Sequence, residues 1–90
     1  MDEKEFLKSI GITDSGIYDS HGNYVIELAD SNDIGRMYSK LDANKYVVED
    51  NSRSKMSYTS SQVVFINDDF DITLISDFDS DDYKLICTRR

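Results

Sequence analysis

The segment from residue 68 to residue 82 concentrates the carboxylates of this chain. It contains no lysine or arginine, and its seven acids are Asp68, Asp69, Asp71, Asp77, Asp79, Asp81 and Asp82. The chain of 90 residues has 18 acidic and 10 basic side chains, so 11 acids remain elsewhere to face those 10 bases. One short segment therefore carries most of the net charge of −8. A potential this localised attracts basic partners and repels acidic ones.

The spacing of these aspartates suits contact with a row of cations. Alternate residues of a strand lie on one face, roughly 6.6–6.8 Å apart. Asp69 and Asp71 would have that spacing, and so would alternate aspartates of residues 77–81 if the second turn continues a strand. Carboxylates at this pitch could stand in for nucleic-acid phosphates, with the interleaved Phe78 as an apolar anchor. The candidate partner-binding residues are Asp68, Asp69, Asp71, Asp77, Phe78, Asp79, Asp81 and Asp82.

Two other interpretations of the acidic segment stay open. Aspartate is a common turn residue, so the acids could serve only the solubility of an accessory, structural or oligomeric domain. Residues 77–81 also have the D-x-D-x-D opening of a calcium loop. Asp82 stands where that loop needs glycine, however, and Thr88 stands where it needs a bidentate glutamate. We therefore expect no specific metal site.

Other side chains capable of chemistry are isolated from one another. His21 is the only histidine and falls in a polar turn, where an adjacent serine seldom aligns as a nucleophile. Cys87 is the only cysteine and falls on the apolar side of a predicted strand, which predicts a buried structural thiol. The four glycines are too scattered for a phosphate-binding loop. These features favour a non-enzymatic protein without a cofactor.

Composition bounds the class of protein further. We expect residues 1–90 to form a single domain. A single cysteine allows no internal disulfide, which favours the reducing cytoplasm. The charged N-terminus lacks the apolar core of a signal peptide, and no apolar run approaches the roughly 18 residues that span a bilayer. A net charge of −8 also disfavours direct binding to nucleic acid or to anionic lipid.

Hydrophobic periodicity predicts two helices and a sheet. The first helix covers about residues 3–10, and the second begins at Ser31 as its N-cap and presents Ile34, Met37, Tyr38 and Leu41 on one side. Strands are predicted over residues 16–18, 24–28, 45–49, 55–59, 62–66, 70–76 and 82–88. Short turns between the later strands indicate an antiparallel meander.

The predicted fold class is therefore α+β. We expect one small domain in which an antiparallel sheet of about four to six strands packs against one or two short helices. Helix 2 should cover one face of the sheet, with helix 1 as a second candidate.

The function that these expectations favour is an inhibitor of the phage or mobile-element counter-defence kind. Such a protein would occupy the basic nucleic-acid-binding site of a target protein. The accessory or structural domain is the alternative. The oligomeric state stays open between a monomer and a homodimer.

Overall fold

The computed structural model describes residues 1–43, 47–48 and 60–90. In chain order the elements are α1 (Glu3–Ser9), β1 (Ile17–Tyr18), β2 (Tyr24–Leu28), α2 (Ser31–Ala43), β3 (Val47–Val48), β4 (Ser60–Ile66), β5 (Phe70–Asp77) and β6 (Asp82–Arg89). The predicted α+β class is confirmed. The strand predicted over residues 55–59 lies outside the described residues, and only the backbone of β3 is described from the strand predicted over residues 45–49.

All neighbouring strands of the sheet are antiparallel, in the order β1-β2-β6-β5-β4-β3. Strands β4, β5 and β6 form the expected meander, since each is joined to the next by a short turn and pairs with it. Strand β3 pairs with the outer side of β4. The last strand then pairs with β2, with Val25 opposite Ile86. This pairing joins the N-terminal hairpin to the C-terminal meander and makes one sheet of both.

Strict alternation along β5 and β6 builds the core. Every second residue of β5 from Phe70 to Ser76 is buried, and so is every second residue of β6 from Tyr83 to Cys87. Strand side chains alternate between the two faces, so one face of the sheet is apolar while the other carries mixed residues. Cys87 is fully buried in this core, which confirms its predicted position.

Both helices pack on the apolar face. Met37 and Leu41 of α2 are fully buried, and α2 lies against β5 and β6. Phe6 of α1 stacks on Phe70 with the ring centroids 4.5 Å apart. The contribution of α1, which was a second candidate from the sequence, is confirmed.

The start of α2 differs from the prediction in one detail. The carboxylate of Asp30 accepts hydrogen bonds from the backbone N–H groups of Asn32 and Asp33, at 2.9 and 3.2 Å. Ser31 is already the first helical residue. Asp30 is therefore the cap, and the assignment of Ser31 as the cap was wrong, because both residue types cap well and stand side by side.

Candidate functional site

The predicted site residues divide into two groups at opposite ends of β5. Asp68 and Asp69 precede its first residue, whereas Asp77 is its last. Eight residues of extended chain separate the two ends by roughly 24 Å. No single flat contact brings both groups together, so the eight predicted residues form two separate surfaces.

The β5–β6 turn is held in shape by its own first aspartate. Asp77 Oδ1 accepts hydrogen bonds from the backbone N–H groups of Asp79 and Ser80, at 3.1 and 3.3 Å. Asp81 has a φ of 50°, a left-handed conformation that aspartate tolerates better than most residues. Asp77 thus has a structural role, while the carboxylates of Asp79 and Asp81 are exposed.

Phe78 stands at the tip of this turn with half of its surface exposed, at 51%. Its ring meets Tyr83 edge to face, with the centroids 5.8 Å apart. Tyr83 is itself buried at the end of the core, so its contact restricts the motion of the exposed Phe78 ring. An aromatic side chain supported in this way can enter a partner with little loss of conformational freedom.

Asp30 belongs to the same surface, although it is distant in sequence. It follows β2, in which Leu28 pairs with Tyr83. Burial raises the pKa of Tyr83, and the negative charges of Asp81, Asp30 and Asp77 raise it further. Sequence reasoning missed Asp30, because only the pairing of β2 with β6 brings it to this place. We call the surface made by the following residues the acidic end: Asp30, Asp77, Phe78, Asp79, Asp81 and Asp82.

The acidic end has little basic compensation among the described residues. Lys84 Nζ donates to Asp82 Oδ2 at 3.0 Å, and this is the ion pair recorded for its carboxylates. Asp77 and Asp82 are direct cross-strand partners, an arrangement of like charges that weakens a hairpin. Five carboxylates of the acidic end are therefore met by one recorded ion pair in the described part of the chain.

The other group is a turn closed by the C-terminus. The Asn67 side chain accepts hydrogen bonds from the N–H groups of Asp69 and Phe70, at 2.8 and 2.7 Å. Arg90 donates its backbone N–H to the Asp69 carbonyl at 2.8 Å, and its Nε lies 3.3 Å from Asp71 Oδ1. Asp68 and Asp69 thus lie in a structural turn and Asp71 at the start of β5, and Arg90 offsets part of the charge of this group.

Other reactive groups do not assemble into a centre in the described part of the chain. His21 is exposed, and its Nδ1 is 3.5 Å from Ser20 Oγ. Burial raises the pKa of the Cys87 thiol to about 12, which disfavours the nucleophilic thiolate. Across residues 1–43, 47–48 and 60–90, no three His, Cys, Asp or Glu side chains are grouped as metal ligands.

Asp14 is the acidic residue among those that line a surface groove beside α1. Lys4, Lys8 and Tyr24 also line it. A hydrogen bond from Arg36 holds the pKa of Asp14 below its ordinary value. This is opposite to the raised pKa that a carboxylic general acid needs.

Comparison of the chain with protein-family models, with curated proteins and with solved structures found no match in any of the three. Neither helix in the described ranges has the length and apolar character needed to cross a bilayer.

Proposed function

We propose that this protein is a non-enzymatic binding protein that uses the acidic end to occupy a basic, nucleic-acid-binding surface of a target protein. The observation that carries the proposal is the half-exposed ring of Phe78 among five carboxylates. Interfaces commonly combine a central aromatic anchor with a polar rim. We further propose that it acts as an inhibitor in the cytoplasm, where a lone buried thiol stays reduced.

The proposed mechanism is steric and electrostatic competition with nucleic acid. The carboxylates of Asp79 and Asp81 would approach lysines or arginines that otherwise hold phosphates. Long-range attraction would accelerate the encounter, and salt would weaken it. Phe78 would then supply the short-range contact that slows dissociation.

The test is capture of a target from the native host by the immobilised protein, at low and then at high salt. Two variants carry the same change in charge at opposite ends of β5. Asp79→Asn with Asp81→Asn alters the acidic end and keeps a left-handed-tolerant residue at position 81. Asp68→Asn with Asp69→Asn alters the opposite turn and is the matched control.

We expect the wild type and the control to retain the same target, and double-stranded DNA to displace it. Retention by the double variant at positions 79 and 81 should fall by about tenfold, because two steering charges are lost. Phe78→Ala should cost about 2 kcal/mol of binding free energy, as expected for a hot-spot aromatic. Equal retention by every variant would refute the proposal and favour the structural or accessory alternative.

A further inference from the structure

The groove beside α1, here called the α1 groove, has a volume of about 210 Å³. The residues that line it are Lys4, Lys8, Ile12, Thr13, Asp14 and Tyr24. Ile12 and Tyr24 are buried, so their apolar surfaces form its base. The volume is below the roughly 300–1,000 Å³ of pockets that hold drug-sized ligands. The α1 groove therefore suits a smaller molecule.

Lys4 and Lys8 bring two positive charges to the α1 groove. They lie about one turn apart on the same side of the helix, where two like charges repel each other. Both are exposed, and neither has a recorded ion pair in residues 1–43, 47–48 and 60–90. An anion bound between the two ammonium groups would remove their repulsion.

The acids at the start of α1 do not neutralise these lysines. Asp2 Oδ1 accepts a hydrogen bond from the backbone N–H of Glu5 at 2.8 Å. Glu3 is buried, and its Oε1 lies 3.4 Å from Nη2 of Arg89. Glu5 is exposed and has no recorded ion pair within the described ranges.

Asp14 is the acid that lines the α1 groove, and its charge is offset by α2. Both of its carboxylate oxygens accept hydrogen bonds from Arg36, which also lies 3.3 Å from Asp33. The hydrogen bond from Arg36 lowers the pKa of Asp14, and the positive charge of Lys40 lowers it further. Asp14 is therefore ionised at neutral pH and already paired, whereas the two lysines of the groove are not.

Tyr24 adds a hydrogen-bond donor to the α1 groove. Its hydroxyl oxygen accepts the backbone N–H of Gly16 at 3.0 Å. A phenol both accepts and donates, and no acceptor for the hydroxyl hydrogen of Tyr24 is recorded in the described part of the chain. This hydrogen can therefore be donated to an oxygen of a ligand.

We propose that the α1 groove binds a small carboxylate with a compact apolar body. Lys4 and Lys8 would hold the carboxylate through charge-assisted hydrogen bonds. The Tyr24 hydroxyl would donate to one of its oxygens, while the apolar body would cover Ile12. A phosphate ester is disfavoured, because its second negative charge would lie near the ionised Asp14. Helix α1 packs at the opposite end of β5 from the acidic end, so this site is separate from that of the proposed function.

The experiment is an NMR titration of the intact ¹⁵N-labelled protein with sodium benzoate at constant ionic strength. We expect saturable shifts at the backbone amides of Ile12, Thr13 and Asp14. The dissociation constant should be about 1 mM, a strength that a ligand of about nine non-hydrogen atoms can reach. Lys4→Gln and Lys8→Gln should each raise that constant about fivefold, because a charge-assisted hydrogen bond is lost.

Three further ligands identify which part of benzoate is recognised. Benzamide has nearly the same shape without the charge, and it should bind about tenfold more weakly. Acetate keeps the charge but has little apolar surface, so it should bind about fivefold more weakly. Inorganic phosphate should also bind more weakly than benzoate, because it brings the second charge and no apolar body.

Lys84→Gln is the matched control, since it makes the same change in net charge outside the α1 groove. Its dissociation constant should stay within about twofold of the wild-type value, because distant charges are screened. Thermal melts would establish that each variant is folded. Shifts that do not saturate would overturn the proposal. Binding of any of the three further ligands as tight as that of benzoate, or equal effects of Lys8→Gln and Lys84→Gln, would overturn it as well.

Discussion

At the scale of single residues, the same amino acid serves different purposes in this protein. The carboxylate of Asp77 forms the β5–β6 turn and that of Asp30 caps α2, whereas the exposed carboxylate of Asp79 has no recorded side-chain partner in the described residues. Removing a carboxylate that accepts hydrogen bonds from nearby backbone N–H groups lowers the free energy of unfolding. For this reason the functional test above leaves Asp77 intact. It changes Asp81, which shares a side-chain hydrogen bond with Tyr83, only to asparagine, whose side-chain oxygen can still accept one.

Asp14 provides a prediction about pH. Both of its carboxylate oxygens accept hydrogen bonds from Arg36, at 3.1 and 2.8 Å, and its pKa is lowered. A lowered pKa stabilises the fold above the unfolded value of about 4, and this contribution disappears as the pH falls through the folded value. Asp14→Asn should therefore lower the free energy of unfolding by up to about 1 kcal/mol at neutral pH.

Urea denaturation at a series of pH values would check this expectation. The difference between the wild type and Asp14→Asn should shrink as the pH falls from about 5 to about 2. Asp42→Asn removes an exposed carboxylate of α2 that has no recorded ion pair within the described ranges, and it is the control. A difference that stays constant down to the lowest pH would contradict the assigned role of the ion pair.

At the scale of elements, the patterns of apolar residues were enough to predict the helices and most described strands. The alternation along residues 70–76 is confirmed by burial at every second position of β5. Met37 and Leu41 are buried as predicted, while Tyr38 keeps 39% exposure and contacts Phe65 edge to face. The cap of α2 was misassigned, because adjacent residues with similar capping ability differ only in their backbone geometry.

Two glycines allow a matched test of how closely the chain packs around them, one just before β1 and one within α2. A Cβ at Gly16, just before β1, would lie 2.6 Å from the Val25 carbonyl oxygen and 2.8 Å from Tyr24 Cζ. A Cβ at Gly35, within α2, would meet nothing within 4 Å. Gly16→Ala should thus destabilise the protein by about 1–3 kcal/mol through overpacking. Gly35→Ala should stabilise it by up to about 1 kcal/mol through helix propensity.

Chemical denaturation of both variants beside the wild type would measure the two effects. The substitution is chemically identical at the two sites, so their opposite signs isolate the effect of the surroundings. A Gly16→Ala variant as stable as the wild type would mean that the β1–β2 hairpin packs less closely than described.

At the scale of the whole molecule, the pairing of β2 with β6 decides where the negative charge collects. It brings Asp30 next to a turn that is more than 40 residues away in the chain. At the opposite end of the sheet, Arg89 pairs with Glu3 at 3.4 Å and lies over the Phe70 ring. The molecule is consequently polarised in how its carboxylates are compensated: the acidic end has one recorded ion pair, from Lys84 to Asp82, whereas Arg89 and Arg90 contact Glu3 and Asp71 at the other end.

The pKa of Tyr83 should report this polarisation. Burial raises it first, and the carboxylates of Asp81, Asp30 and Asp77 add to the effect. Asp30→Asn should lower the pKa of Tyr83, because one negative charge that opposes tyrosinate formation is removed. Asparagine also caps helices well, so α2 should be preserved.

NMR titration of ¹³C-labelled tyrosine, with Tyr83→Phe to identify the signal, would measure the change. Asp68→Asn, at the far end of β5, should leave the pKa of Tyr83 unchanged. If Asp30→Asn has no effect either, Asp30 does not belong to the acidic end.

The sequence by itself determined the α+β class, the described helices and strands to within one or two residues, and the buried position of Cys87. These properties follow from local periodicity and turn chemistry, which depend on neighbours along the chain. The sequence also identified which segment is acidic, and it favoured residues 77–82 for contact while assigning Asp68 and Asp69 to an ordinary turn, because a strand separates the two. It could not add Asp30 to the first group. Only the tertiary structure decided that, because the β2–β6 pairing joins residues distant in the chain.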